Sequence, residues 1–260
     1  MSLVRRTPVA DPAGRPRALP ELALVVGLFL AYKLARLLIQ GRDDAAFGNA
    51  WRIWDLERFL HLPGEVAVQH AVVGQPALLE AANTYYAYVH FPVTAAFLFW
   101  MFLRRPAYYR WARRGLAGLT AAAMVVHVLL PLAPPRMLTA TGMLDTGRLF
   151  GPMVYGDPAT DTLTNQYAAM PSLHVGWALL VAVTLIAVTR GPWRWAWLAH
   201  PALTLPVVVV TGNHYWLDGI VAAALLAVVL LVCPWPGRQP HAFFGRAVPQ
   251  PAVAAVEQPA

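Results

Sequence analysis

Residues 201–233 read PALTLPVVVVTGNHYWLDGIVAAALLAVVLLVC. Two apolar runs, at about 195–212 and 215–233, meet here at the turn Gly212-Asn213-His214. Each run approaches the ~20 residues that an α-helix needs to cross a bilayer. Their junction carries His214 and Asp218, and ionisable groups at membrane depth are costly unless they serve a site.

Further apolar segments lie outward from this pair, at about 19–39, 81–103, 116–133 and 168–189. Together they predict an all-α fold, a six-transmembrane-helix bundle. Composition agrees: 58% of the 260 residues are hydrophobic and 13% charged, against ~25% charged in soluble domains. That excludes an ordinary soluble globule and a disordered chain. One domain is expected: a flexible basic tail at 1–18, a membrane domain at 19–233 and a flexible Pro/Ala-rich tail at 234–260. Segment 19–39 reads as an uncleaved first span, because no small-residue cleavage pattern follows it. The single cysteine, Cys233, excludes an intrachain disulfide and a thiolate metal site.

The net charge is +7. The basic residues sit in short clusters between apolar segments, which points to membrane orientation and not to nucleic acid. Thirteen of the 20 fall on one side of the six-span arrangement and five on the other, with Lys33 and Arg36 inside the first span. The excess marks the cytoplasmic side. Both termini are then cytoplasmic in a multi-pass protein of the cell membrane, and segments 40–80, 134–167 and 212–215 face outward. Residues 47–62 have the spacing of an interfacial amphipathic helix, with Asp55, Glu57 and Arg58 among its charges. Residues 134–167 form a long extracytoplasmic loop, a length typical of lids and binding loops.

Three strings converge at the outer face in this arrangement: Ala133-Pro134-Pro135-Arg136, Met170-Pro171-Ser172-Leu173-His174, and Gly212 to Asp218. If 214–218 is helical, His214 and Asp218 share a face. A carboxylate on one imidazole nitrogen fixes the tautomer and raises the basicity of the other. A second imidazole, His174, completes a pair suited to phosphoryl transfer without a metal, one ring attacking and the other protonating the leaving oxygen. Arg136 can hold phosphate oxygens bidentately, and Ser172 can cap the fourth span and donate to phosphate. Other readings stay open: His174, His214 and Asp218 as metal ligands, Ser172 as a protease nucleophile without a GxSxG elbow, and a transporter built on proline-interrupted helices. His90, His127 and His200 read as interhelical hydrogen-bonding residues.

At these residues the chain resembles the type 2 phosphatidic acid phosphatase superfamily. Pro171-Ser172-Leu173-His174 meets its PSxH motif, and His214 with Asp218 meets the HxxxD that ends its third motif. The resemblance implies a metal-independent phosphohistidine mechanism without cofactors. His214 would be the nucleophile, Asp218 its orienting partner and His174 the general acid. The pairing of PSLH with GNHYWLD looks more like the inositol phosphorylceramide synthase branch, whose members are phosphotransferases. The chain departs from the superfamily where its third motif has an arginine, since Val208 stands there, and the first motif's Lys and Arg-Pro are absent. Lys33 and Arg36 read either as side chains snorkelling to the interface or, one of them or Arg42 just beyond, as a replacement for the lost cations beside Arg136, Ser172 and Asn213. The expected substrate is a membrane lipid phosphate, diphosphate or phosphodiester, and the acceptor is water or a polyol such as inositol.

Overall fold

The computed structural model describes residues 17–156, 164–233 and 235–236. Most of the expected basic tail and nearly all of the Pro/Ala-rich tail lie outside the described residues. The fold is all-α: α1 (Ala18–Ile39), α2 (Asp43–Phe59), α3 (Glu65–Val73), α4 (Pro76–Tyr88), α5 (His90–Arg104), α6 (Pro106–Leu129), α7 (Thr146–Phe150), α8 (Leu173–Val188), α9 (Ala199–Val210) and α10 (Trp216–Val232).

Each expected apolar segment coincides with a helix or a helix pair, and prolines explain where the boundaries differ. The segment at 81–103 is two helices, α4 and α5, bent by 43° at Val89. Pro92 lies in the first turn of α5, where its ring crowds the carbonyl four residues back. α6 stops at Leu129 ahead of Pro131, and α8 starts only after Pro171. Residues 192–198 form a 3-10 helix that leads into α9 and exposes Trp193, Trp195 and Trp197. Among the described residues, one helix, α1, is long and apolar enough to cross a membrane, and the bent α4–α5 pair makes a second if it is taken as one span. α8 and α10 are shorter apolar helices. These helices are compatible with membrane association.

α8 is the central helix, packed against α5, α6, α9 and α10. Leu180, Ala178 and Ala182 are among its buried residues. A Cβ on Gly176 would come within 2.8 Å of Leu119 Cδ2, so the glycine lets α8 and α6 approach closely. α1 packs against α6 on the outside. Its buried residues are Ala35 and Ile39, while Leu22, Val25, Phe29, Leu30 and Leu34 are exposed. At its start Glu21 pairs with Arg113 and accepts the Tyr109 hydroxyl at 2.7 Å.

The α2 helix overturns part of the reading of 47–62. It presents an inner face of Ala46, Ala50 and Glu57, all buried. Glu57 is therefore not a solvated charge of an interfacial helix; it is enclosed where α2 packs on α10. Trp51, Leu56 and Phe59 are exposed on the same helix.

Candidate active site

The site is built where chain segments are tied to one another just beyond helix ends. Leu132 N donates to the Tyr167 carbonyl at 2.8 Å and Ala133 N to that of Ala46 at 3.2 Å. These bonds fasten the chain leaving α6 to the strand-like approach to α8 and to α2. Ser172 N donates to the Asp218 carbonyl at 3.0 Å, joining the start of α8 to the first turn of α10. The Ser172 side chain caps α8 by accepting from Val175 N.

His214 and Asp218 meet, but not on a helix face as expected. α10 begins only at Trp216, with Tyr215 as its N-cap, so His214 precedes the helix. Asp218, the third helical residue, reaches back. Its Oδ2 accepts from Tyr215 N at 2.9 Å and lies 3.1 Å from His214 Nδ1. His214 Nδ1 is also 2.8 Å from the Ala169 carbonyl. A carbonyl can only accept, so Nδ1 carries a proton, and in the neutral ring the lone pair is then on Nε2. Tyr215 donates its hydroxyl to the Ala133 carbonyl at 3.1 Å. Burial, then the Asp218 charge, raises its phenol, so it stays neutral and keeps that bond.

The His174 and His214 rings are 5.9 Å apart. His174 stacks on Tyr86 at 4.3 Å and packs against His90 at 4.5 Å. His90, read from sequence as a structural residue, thus touches the candidate acid. His127 is buried beside the Pro171 carbonyl, at 3.4 Å.

Arg136 is buried and sits in the same neighbourhood. Its backbone N donates to the Gly212 carbonyl at 2.9 Å, and its Nη1 donates to Asn213 Oδ1 at 2.6 Å. Asp145 Oδ2 is 3.7 Å from its Nε, and the Tyr155 ring faces its guanidinium at 4.3 Å. Its Nη2 is buried and makes no hydrogen bond among the described residues. Gly212, at φ +70°, allows this approach: a Cβ there would meet Arg136 Cβ at 3.0 Å and the Leu144 carbonyl at 3.2 Å. A side chain in that backbone conformation also costs about 1–2 kcal/mol.

A small pocket that opens to solvent adjoins this cluster, lined in part by Asn83, Tyr86, Arg136, Asp145, Tyr155 and Asn213. Segment 144–146 forms one side and is held from two helices. Gln69 of α3 bonds Leu144 N and its carbonyl, and Asn83 of α4 bonds both the Thr146 hydroxyl and its carbonyl. The described part of the long loop is thus anchored.

Of the residues singled out in the sequence, the structure gathers His174, His214, Asp218, Ser172, Asn213 and Arg136. It does not bring Lys33 and Arg36 to that pocket, whose lining includes neither. Arg36 Nε donates to the Thr164 carbonyl at 2.9 Å, and Lys33 Nζ lies 5.6 Å from the Phe29 ring of its own helix. Arg42 donates to the Val128 carbonyl at 2.6 Å. The reason is the outer position of α1, against α6. Among the described residues, no three or more His, Cys, Asp or Glu form a group that could hold a metal ion. Tyr86, Tyr155, Asp145 and Glu57 were not found by sequence reasoning. The one available signal was the four-residue spacing of Tyr86 and His90, which shares a helix face only if the bend at Val89 is small.

No curated protein and no solved structure matches the chain. A family model does, over residues 51–232, a stretch that holds His174, His214, Asp218 and Arg136. With most of its length in that match, and phosphatase-type lipid phosphate chemistry indicated by it, the chain belongs to the PAP2 superfamily.

Proposed function

We propose that the protein is an integral-membrane lipid phosphatase or phosphotransferase that works through a phosphohistidine at His214. The observation that carries the reading is the pair of acceptors at His214 Nδ1, Asp218 Oδ2 and the Ala169 carbonyl, which leaves Nε2 as the nucleophile. His214 Nε2 attacks phosphorus, and the bond from phosphorus to the leaving oxygen breaks as His174 gives that oxygen a proton. His174 then takes a proton from the acceptor hydroxyl. The new oxygen–phosphorus bond forms and the nitrogen–phosphorus bond breaks. Arg136, Asn213 and Ser172 hold the non-bridging oxygens, with Arg136 Nη2 as a ready donor. The lipid tail stays in the bilayer beside a six-span bundle whose site faces outward and whose termini are cytoplasmic. No metal or other cofactor enters the reaction.

A polyol acceptor, as in the inositol phosphorylceramide synthase branch, is the second reading. It is favoured by the pocket beside Arg136, where the partly exposed Asp145 carboxylate offers an acceptor to a hydroxyl. The deciding experiment incubates detergent-purified protein with lipid phosphates and diphosphates in EDTA, with and without inositol. Phosphate release without inositol supports the phosphatase. An inositol-dependent lipid product without phosphate release supports transfer. If neither reaction occurs and vanadate has no effect on any lipid movement the protein supports, a transporter is the better account.

Arg136→Ala is expected to lower kcat/KM by roughly 10²–10³-fold, the usual loss for one preorganised oxyanion donor. Arg136→Lys should recover only part of it, because an ammonium lacks the rigid planar fork that aims one N–H at Asn213 and another at a phosphate oxygen. Steady-state phosphate release measures both.

A further inference from the structure

Glu57 has no part in the mechanism above, yet it is fully enclosed. Its Oε1 accepts the amide of Leu217 at 2.7 Å. Leu217 is the second residue of α10 and adjoins Asp218. Glu65, at the start of α3, is equally buried, and the two carboxyls share one cation, Arg58. Arg58 pairs with Glu65, while its Nη1 is 3.8 Å from Glu57 Oε2. Nearby, Trp216 Nε1 donates to the Pro63 carbonyl at 2.7 Å, so the turn between α2 and α3 is docked on the first turn of α10.

Two fully buried carboxyls that share a single guanidinium do not both ionise readily. One guanidinium balances one of them. Glu57 Oε2 and Glu65 Oε1 are also buried oxygens with no N–H or O–H donor among the described residues. A proton on Glu57, donated to Glu65, removes that conflict and leaves Oε1 free to accept from Leu217. The groups that face Glu57 are Glu65 from α3, Arg58 from its own helix, and Asp218 and Tyr215 from α10. Burial, then the hydrogen bond and charge of Glu65 and the charge of Asp218, push its carboxyl up to about 9 against the pull of the Leu217 amide.

We propose that Glu57 is a proton-bearing positioning residue, which holds the first turn of α10, and with it the Asp218 carboxylate that aims His214, while it stays uncharged. The proposal rests on the reading of His214 as nucleophile. Ionising Glu57 adds a second negative charge beside Glu65 and opposite Asp218, with no further cation to meet it. The helix turn then loosens, and turnover falls more than substrate binding does.

The test compares wild type with Glu57→Gln and Glu57→Ala. Glutamine keeps an acceptor for Leu217 and a donor for Glu65 but cannot ionise. With a carboxyl near 9, about one-tenth stays protonated at pH 10, so wild-type kcat should fall about tenfold from Glu57 alone between pH 7.5 and pH 10. Glu57→Gln should match wild type within about twofold at pH 7.5 and lack that loss. Glu57→Ala should lose kcat at both pH values. Parallel alkaline falls in wild type and Glu57→Gln would overturn the proposal.

Thermal unfolding gives a readout that needs no substrate. Because the folded-state value is raised above the unfolded one, near 4.5, this group's stabilising contribution is full below pH 4.5. It shrinks as pH rises and is gone by about pH 9. Wild-type Tm should therefore fall more steeply than that of Glu57→Gln from pH 5 to 9, and the two should run parallel above it. Equal slopes from pH 5 to 9 reject the bound proton. Absent turnover in wild type, with the slopes still different, rejects the phosphohistidine reading and leaves the proton on Glu57 in place.

Discussion

His214→Ala is expected to lower turnover by roughly 10⁴–10⁶-fold, the scale seen when a covalent nucleophile is removed. The side chain has no substitute in the site. His174 is 5.9 Å away between ring centres and stacks on Tyr86, and the proposed reaction uses it for proton transfer and not for attack at the same phosphorus. The fold should survive. Asp218 still caps Tyr215 N, and Ser172 N still bonds the Asp218 carbonyl in the variant. Phosphate release together with a label-trapping experiment checks this. Wild type quenched during turnover should carry acid-labile, alkali-stable label, and His214→Ala none. A variant with more than a few per cent of wild-type activity, in folded protein, would remove His214 from the nucleophile's role.

Asp218→Asn should cost roughly 10³–10⁴-fold in kcat, the loss known for an uncharged substitute behind a catalytic imidazole. Asp218 Oδ2 accepts two N–H groups, from Tyr215 and from His214. An asparagine oxygen can accept both, so the capping geometry can persist. What is lost is the negative charge that stabilises the ring as nitrogen bonds to phosphorus. The asparagine NH₂ also replaces Asp218 Oδ1, which is buried and unpartnered, and so becomes a buried donor in need of a partner. KM should move little, because Arg136 and Asn213 are untouched. Measured kcat and KM separate this from a binding defect, and a loss confined to KM would count against the orienting role.

Much of the site was legible because its motifs are local. His214 and Asp218 are four residues apart, Ser172 and His174 two apart, and each pair sits at a helix start that the apolar runs already outline. Arg136 was legible as the cation nearest to them in the loop after α6. Glu57 was not. Its neighbours Asp55 and Arg58 have the look of a solvated helix face, and only the docking of α2 on α10 shows that one carboxyl is enclosed. Lys33 and Arg36 show the converse: neither lines the pocket beside Arg136. Their depth along α1 suited the site, but depth does not say which side of the bundle a helix occupies. Tyr155 and Asp145 lie in a long loop without periodicity, where spacing carries no information about which side chains turn toward Arg136.

By itself the sequence determined the helical class, the positions of the apolar segments and the pairing of PSLH with HYWLD that places the chain in its superfamily. Those properties follow from composition, from proline positions and from short-range spacing. The tertiary structure alone decided that His214 stands before α10 and that the Ala169 carbonyl joins Asp218 in holding its ring. It also decided that Arg136 leans on Asn213, and that Glu57 and Glu65 share a dry space behind the helix turn. Each of these depends on contacts between segments 45 to 160 residues apart. No local pattern encodes such contacts, because they arise only when the helices pack and water is expelled from between them.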